Sequence, residues 1–243
     1  MLPGAQSDPH RILVLLNQPL LSELVRLTLN HGISITREVS DVATASALLH
    51  EWKPQLAVLD IDMDASPVIH QVRAQPPPHI PVLALTRHGD LKTKLAAFAE
   101  GVDDIMTVPF APEELLARVL ALMRRAYGTQ PQLSPTIRVG EIEIDILNRE
   151  VHVGSSLVHL TGIEQSLLYL LVANAGQVVT RNQIMDALWG TDYVAESNVV
   201  DRHIRNLRAK LPHDGRRRRP FIETVPGSGY RFVSAASNEM GVG

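Results

Sequence analysis

The sequence contains no cysteine, few aromatic residues and no long apolar run, and each of these absences narrows what the protein can be. Without cysteine the chain forms no disulfide framework and offers no thiolate to a metal. Aromatic residues make up 4% of the chain, so the cores must be built from Leu, Val, Ile and Ala. The first residues lack the pattern of a signal peptide, and no apolar run reaches the roughly 18 residues of a membrane span. We therefore expect a cytoplasmic protein with no membrane partner.

The charged residues are unevenly distributed along the 243 residues, although the net charge is only −3. Between positions 202 and 231, nine basic residues are opposed by only Asp214 and Glu223. The basic residues are Arg202, Arg205, Arg208, Lys210, Arg216, Arg217, Arg218, Arg219 and Arg231. A local basic cluster of this kind is typical of a surface that contacts nucleic acid.

Residues 9–126 alternate between short apolar runs and segments with helical periodicity. The apolar runs lie at 12–16, 56–60, 81–85 and 105–108, with a weaker one near 33–37, and the helical segments at 20–31, 42–52, 66–74, 90–100 and 112–126. Strands that alternate with helices predict a parallel sheet covered on both faces. We therefore predict an α/β doubly wound domain of the flavodoxin type.

The rest of the chain has a different pattern. Residues 127–136 are rich in Gly, Pro, Ser and Gln and predict a linker. Residues 137–235 begin with apolar and polar residues in alternation, which predicts short antiparallel strands. Three helices follow, the first opened by Thr161 with Glu164 in a capping-box position, and 221–225 and 230–233 predict a terminal hairpin. We expect a second, α+β domain here and a tail at 236–243.

The helix predicted at 197–211, "SNVVDRHIRNLRAKL", is the most informative segment of this second domain. Its apolar residues recur at helical spacing and should face the core, which leaves a polar face. That face carries Asn198, Arg202, Arg205, Asn206 and Arg208. Arg can bond a guanine edge and Asn an adenine edge in the major groove. Arg216, Arg217, Arg218 and Arg219 follow and can neutralise phosphates. The alternative is an ordinary helix with a solvated basic face.

Four stretches of the second half carry a family resemblance: "LTGIEQSLLYLL", "GQVVTRNQIMDALWG", "VVDRHIRNLRAKL" and "IETVPGSGYRFV". They resemble the winged helix-turn-helix DNA-binding domain of the OmpR/PhoB family of response regulators. The resemblance implies that 197–211 is the recognition helix, that 190–196 is a loop offered to RNA polymerase, and that 221–233 is the wing, with Tyr230 and Arg231 in its motif. It also implies that the partner is double-stranded DNA with tandem half-sites.

The first half resembles the receiver domain of the same family, with "PQLAVLD" placing Asp60 at the phosphoacceptor position and "VLALT" placing Thr86 at the hydroxyl position. The family has two adjacent acids after the first strand and a lysine after the fifth, where this chain has Leu16, Asn17 and Val108. Phosphoryl transfer to an aspartate depends on Mg²⁺ and a further cation. We therefore expect an atypical, degenerate receiver that binds no Mg²⁺ tightly, needs no cofactor and acts without phosphorylation.

The resemblance also implies how two receivers would pair. Family members associate through the fourth helix, fifth strand and fifth helix, and this chain keeps Lys94, Asp104, Glu114 and Arg118 at the matching positions. A homodimer would link two DNA-binding domains and raise their affinity for paired half-sites through effective concentration.

Three alternatives remain open. The protein could be a conventional response regulator, phosphorylated on Asp60 by a sensor histidine kinase through an altered metal site that uses Asp62 and Asp64. It could be an α/β phosphatase or phosphotransferase with an accessory domain, although the chain has no Walker loop or G-x-S-x-G motif. It could also be a sensor that admits a small molecule to an apolar crevice between Leu16 and Val108.

Overall fold

The computed structural model describes residues 9–30, 34–128, 136–146, 148, 150–189, 198–211 and 220–233. Its first domain contains five parallel strands, β1 (His10–Leu15), β2 (Ser34–Val39), β3 (Leu56–Asp60), β4 (Val82–Thr86) and β5 (Asp104–Thr107). They lie in the order β2-β1-β3-β4-β5, so the predicted doubly wound sheet is confirmed. This order places the carboxyl ends of β3 and β4 side by side.

Five helices cover the two faces of the sheet: α1 (Pro19–Leu29), α2 (Val42–Glu51), α3 (Ser66–Arg73), α4 (Leu91–Glu100) and α5 (Pro112–Tyr127). α1 and α5 contribute to one apolar core, and α2, α3 and α4 contribute to the other. The strands β3 and β4 are buried along their whole length, which explains their nearly continuous apolar sequences, whereas the edge strand β2 is partly exposed. Asp90 accepts a hydrogen bond from the backbone nitrogen of Thr93 at 3.0 Å and thereby fixes the start of α4.

The second domain begins with an antiparallel sheet of β6 (Thr136–Val139), β7 (Ile142–Asp145), β8 (Glu150–Val153) and β9 (Ser156–Val158). It continues with α6 (Gly162–Ala173), β10 (Val178–Thr180), α7 (Arg181–Trp189), α8 (Val199–Lys210), β11 (Ile222–Val225) and β12 (Gly229–Phe232). The predicted helices and terminal hairpin are present, and α8 starts two residues later than the sequence suggests. The three-residue strand β10 was missed because a run this short shows no periodicity; it pairs with β12.

A polar clip inside the second domain connects α6 to α8. The Thr161 side chain accepts from the backbone of Glu164, and Glu164 accepts from the backbone of Thr161 at 2.8 Å, so the predicted capping box is confirmed. The same Glu164 carboxylate lies 2.7 Å from Nζ of Lys210 at the end of α8. Burial raises the pKa of Glu164, but hydrogen bonds from Lys210 and Thr161 outweigh that effect and lower the pKa below its usual 4.5.

The two domains are in contact along one face of the receiver sheet. α1 packs against α6, and the apolar core of α1 and α5 continues into the core of the second domain. The hydroxyl of Ser166, on α6, donates to the backbone carbonyl of Phe110 at 2.6 Å. α4 lies on the opposite face of the sheet, away from this contact.

Replacing Glu164 with Gln keeps a residue that can serve the capping box but removes the charge that faces Lys210. We expect the free energy of unfolding to fall by about 1 kcal/mol at pH 7. Because the folded-state pKa of Glu164 is lowered, its contribution is present above the unfolded pKa and is lost as the pH falls through the folded pKa. Urea titrations at neutral and acidic pH should therefore show the two proteins converging in acid. Glu164→Ala, which also loses the capping box, should be less stable than Glu164→Gln, and a neutral-pH stability of Glu164→Gln equal to wild type would contradict the clip.

Candidate functional site: the receiver crevice and the nucleic-acid interface

Asp60 and Thr86 are brought together at the carboxyl edge of the receiver sheet, as their positions in the sequence imply. Both residues are only 1% exposed. The Thr86 hydroxyl donates to Asp62 Oδ1 at 2.6 Å rather than to Asp60. The backbone nitrogen of Asp62 donates to Asp60 Oδ1 at 3.0 Å. The loop after β3 therefore presents two neighbouring carboxylates, of which the buried one is Asp60.

Arg87 supplies the positive charge for both of these carboxylates. Its Nη1 atom lies 3.1 Å from Asp60 Oδ2 and 3.1 Å from Asp62 Oδ2, and its backbone nitrogen donates to Asp62 Oδ2 at 2.7 Å. The Arg87 side chain is 14% exposed and that of Asp60 is 2% exposed, so the ion pair is largely removed from solvent. Since a buried carboxylate is costly without a counter-charge, Arg87 accounts for the stable burial of Asp60.

The position of Arg87 near Asp60 could have been inferred from the sequence together with the strand order, although residue patterns alone did not indicate it. β3 and β4 are neighbours in the sheet, so the residues just after each strand must lie close together. Asp60 ends β3, and Arg87 directly follows Thr86 at the end of β4. Once the strand order is known, Arg87 is the basic residue adjacent in sequence to that edge.

Apolar residues lie beneath the sheet edge at two of the positions where the resemblance leads one to expect acids and a lysine. Leu16 and Val108 are 2% and 6% exposed and belong to the core beneath the sheet edge, while Asn17 is exposed. Both side chains are packed into this core and do not line an open crevice. A cleft of about 460 Å³ lies instead between the loop after β3 and α4.

The residues at this edge do not fit the Mg²⁺ ion that receiver chemistry uses. Asp60 and Asp62 are both paired with Arg87, and the side chains at 16 and 17 offer no carboxylate. Asp64, considered as a third ligand, is exposed in the loop after β3. Within the described part of the chain, no three His, Asp or Glu side chains form a group that could hold a metal ion.

The exposed face of α8 has the composition expected of a recognition helix. Val200, Ile204 and Leu207 are buried against the domain core. The opposite face exposes Asn198, Arg202, Arg205 and Asn206, with Asn198 at the cap position. The cluster Arg216, Arg217, Arg218 and Arg219 and the loop 190–196 lie outside the described residues.

Arg208 contacts the wing instead of extending freely from α8. Its Nε donates to the carbonyl of Ile222 at 3.0 Å and its Nη2 donates to the hydroxyl of Thr224 at 2.9 Å. Both acceptors lie on β11, so Arg208 connects β11 to α8. The sequence places Arg208 among the DNA contacts, and in the structure its guanidinium is engaged within the protein.

Tyr230, which the sequence places among the DNA contacts, has its side chain inside the domain. The residue is 3% exposed, and its hydroxyl donates to Asp201. Arg181 completes the cluster: its Nε donates to Asp201 at 2.7 Å, its Nη2 donates to the Tyr230 hydroxyl at 3.1 Å, and its guanidinium lies 4.8 Å from the ring centre. Burial, followed by Asp201, raises the pKa of Tyr230, so the hydroxyl stays protonated and donates. Tyr230 thus connects β12 to α7 and α8.

The wing itself is a tight hairpin whose glycines have separate roles. Gly227 adopts a φ of +71° at the exposed tip, a conformation that favours glycine. Gly229 has no room for a side chain, because a Cβ atom would lie 2.2 Å from the carbonyl oxygen of Val179 on β10. Arg231 is half-buried and lies opposite Glu223 in the hairpin.

The residues expected at a dimer face form a network within one chain. Arg118 on α5 lies 2.8 Å from Asp104 on β5 and 2.6 Å from Glu114 one turn earlier on its own helix. The hydrogen bonds that Arg118 donates to Asp104 and Glu114 raise the pKa of Arg118. Lys94 is half-buried on α4, the helix that precedes β5 along the chain.

Comparison with known proteins identifies both halves. The family model for the response regulator receiver domain matches residues 12–120, and the model for the transcriptional regulatory protein C-terminal domain matches residues 154–232. The chain is 34% identical to "Probable transcriptional regulatory protein TcrX" of Mycobacterium tuberculosis, over 93% of this chain and 96% of that protein. It is 32% identical to transcriptional regulatory protein TrcR of the same organism, over 93% of this chain and 88% of that protein.

Solved structures give similar matches. Response regulator DrrB of Thermotoga maritima, an OmpR/PhoB homologue, is 27% identical with a TM-score of 0.44, covering 93% of this chain and 100% of its own. The DNA-binding domain of Klebsiella pneumoniae RstA, solved in complex with the RstA box, is 34% identical with a TM-score of 0.36, covering 40% of this chain and 96% of its own.

A receiver domain followed by a winged-helix domain defines a DNA-binding response regulator. The two domain matches, with the identity to TcrX along nearly the whole chain, show that this chain belongs to the OmpR/PhoB family of two-component transcription regulators. The family consists of transcription factors and not enzymes, so the phosphatase or phosphotransferase alternative is wrong. None of the helices in the described part of the chain is long and apolar enough to span a bilayer.

Arg205 and Tyr230 allow the two roles in the winged-helix domain to be separated. We expect Arg205→Ala to weaken specific DNA binding by about 1–3 kcal/mol without changing the melting temperature, because the side chain is exposed.

Tyr230→Phe should lower the free energy of unfolding by about 1 kcal/mol, because Asp201 and Arg181 lose the shared hydroxyl. Fluorescence anisotropy on operator DNA and thermal unfolding measure the two effects. If Tyr230→Phe instead reduced the affinity at unchanged stability, Tyr230 would be a DNA contact after all.

Proposed function

We propose that this response regulator is cytoplasmic and binds tandem half-sites in DNA as a homodimer, without phosphorylation and without Mg²⁺. The observation that carries the proposal is the position of Arg87, whose guanidinium is paired with the buried carboxylate at the phosphoacceptor position. The sensor kinase that controls a conventional family member is not required by this proposal.

The charge and access at Asp60 argue against an acyl phosphate. Its two carboxylate oxygens lie 3.4 and 3.1 Å from Nη1 of Arg87, and the side chain is 2% exposed. A phosphoryl donor needs an accessible oxygen, a metal ion that neutralises the incoming charge and a further cation beside the product. Val108 stands where the family has its lysine and cannot provide that cation.

An apolar stripe on α4 supports the proposed dimer. Leu91, Leu95 and Phe98 lie on one side of this helix and are 71%, 58% and 47% exposed. The other exposed large apolar side chains in the described ranges are less open to solvent: Ile35 and Leu157 are each 45% exposed and Val178 is 37% exposed. A contiguous exposed apolar stripe is a feature of interaction surfaces.

A second copy of this chain is the occupant that best fits the stripe. α4 connects directly to β5, whose Asp104 belongs to the charged network with Arg118, so apolar and charged groups lie next to each other. A twofold interface uses the same patch twice, and a rim of both signs beside an apolar centre is self-complementary. The winged-helix domain contacts α1 on the other face of the sheet and leaves α4 available.

Dimerisation through α4 would place two recognition helices on one DNA molecule. Each linked head binds at an effective concentration set by the tether, so a tandem site gains affinity over a single one. Half-sites separated by about one helical turn suit this arrangement. The loop 190–196 is the segment that would contact RNA polymerase.

Asp60→Asn tests independence from phosphorylation. The amide keeps an acceptor for the backbone of Asp62, and Arg87 keeps its pair with Asp62. We therefore expect unchanged affinity for a tandem-site duplex in gel-shift assays, with a free energy of unfolding lower by about 1–3 kcal/mol. Incubation with acetyl phosphate and Mg²⁺ should leave the wild-type gel shift and mass unchanged. A phosphorylated wild type with enhanced DNA binding, and an Asp60→Asn variant that lacks the enhancement, would establish the conventional mechanism instead.

Leu95→Glu tests the α4 dimer. A charge in the centre of the stripe should convert the protein to a monomer in analytical ultracentrifugation and reduce affinity for tandem sites about 10²-fold or more, while a single half-site is bound as before. Ile35→Glu is the matched control, because Ile35 is 45% exposed on β2 at the opposite edge of the same sheet. The α4 interface is excluded if both variants remain dimers, or if both lose the dimer equally.

A further inference from the structure

We infer that Arg87 takes the place of a divalent cation: its guanidinium fills a two-carboxylate site formed by Asp60 and Asp62 and fixes the loop that leads to α4. The inference deepens the proposed function, since it identifies what replaces metal and phosphate at the receiver edge. It predicts that the protein becomes responsive to divalent metal when the Arg87 charge is removed.

The geometry at Nη1 is that of a cation shared by two acids. Oδ2 of Asp60 and Oδ2 of Asp62 are each 3.1 Å from this one nitrogen, so the two carboxylates converge on one point. A divalent ion held by one or two carboxylates, with water in its remaining positions, is a common arrangement for Mg²⁺. In this site Asp62 contributes its side-chain carboxylate. In the chemistry of a conventional receiver, the residue at this position contributes only its backbone carbonyl.

The guanidinium is held there by charge more than by complete hydrogen bonding. Nε and Nη2 of Arg87 are buried and have no hydrogen-bond partner among the residues that the structure describes. Leaving such groups unpaired is unfavourable, so the pairing of Nη1 with two carboxylates must offset that cost. The role of Arg87 is therefore to supply a positive charge to the two carboxylates and not only to fill space.

The same contacts connect the metal-like position to the proposed dimer face. The Thr86 hydroxyl and the Arg87 backbone nitrogen both donate to Asp62, which joins the loop after β4 to the loop after β3. Four residues after Thr86, Asp90 caps α4, and Leu91 begins the apolar stripe. Arg87 is thus a positioning residue for α4. Because its charge belongs to the chain, this positioning requires neither phosphorylation nor a bound metal ion.

The experiment compares wild type with Arg87→Gln in EDTA and in increasing MnCl₂ or MgCl₂. Wild type should show no change in melting temperature with metal and no heat of Mn²⁺ binding in calorimetry. Arg87→Gln should melt lower in EDTA, bind Mn²⁺ with a Kd of roughly 0.1–1 mM, and regain stability and self-association as the ion is added. Arg87→Gln/Asp60→Asn should lose this response, because one of the two ligands is gone.

Arg73→Gln is the matched control for loss of an arginine–aspartate pair. Arg73 lies 2.6 Å from Asp103 in the same domain, but Asp103 is its only carboxylate partner among the described residues. This variant should be destabilised without gaining a metal response. If it responded to Mn²⁺ as Arg87→Gln does, the effect would be general and the inference overturned.

The remaining outcomes also decide the inference. A wild type that binds Mn²⁺ as tightly as Arg87→Gln, or a folded Arg87→Gln that ignores the ion, overturns it. If Arg87→Gln folds in neither buffer, Arg87→Met, which also removes the charge but keeps an apolar side chain in the buried space, decides: a folded protein that binds Mn²⁺ supports the inference, and one that does not, or that also fails to fold, overturns it. Failure here leaves the Asp60→Asn result untouched, since that experiment reads DNA binding and phosphorylation and does not measure metal affinity.

Discussion

The ion pair between Arg87 and the carboxylates of Asp60 and Asp62 is the interaction around which this receiver is organised. A carboxylate with 2% of its side chain exposed requires a charge close by, and the loop after β4 delivers one. The consequence extends along the chain, because the same loop sets the start of α4. The positive charge that a bound metal ion would supply belongs here to the side chain of Arg87, so its presence does not depend on the concentration of metal.

The winged-helix domain divides its polar residues between construction and contact. Arg181, Asp201 and Tyr230 form a closed cluster, and Arg208 joins α8 to the wing. These groups bond to one another within the domain and hold the helix that displays Arg205 and Asn206 to solvent. A recognition surface with long side chains gains precision from such support, since only the outermost groups retain rotational freedom.

Much of the fold could be read from periodicity, and less of the site. The alternation of apolar runs and helical segments identified the receiver strands most clearly at β3 and β4, which are buried on both faces, and least clearly at the edge strand β2, which is partly exposed. Thr161 and Glu164 revealed the start of α6 through local chemistry. Arg87 was missed because its role depends on which strands are neighbours, and the contacts of Tyr230 within the domain were not foreseen because sequence position in a wing motif does not reveal which way a side chain points. β10 was too short to show a pattern.

The hydrogen bond from Ser166 to the carbonyl of Phe110 has a consequence for the modularity of this chain. Phe110 closely follows β5 and lies at the end of the receiver's crevice, while Ser166 belongs to the other domain. In a chimera that joins this receiver to a foreign DNA-binding domain with alanine at the equivalent of Ser166, the buried carbonyl of Phe110 would lose its hydrogen-bond donor. The two halves are therefore fitted to one another, and exchange of parts between relatives would need the partner helix to travel with its receiver.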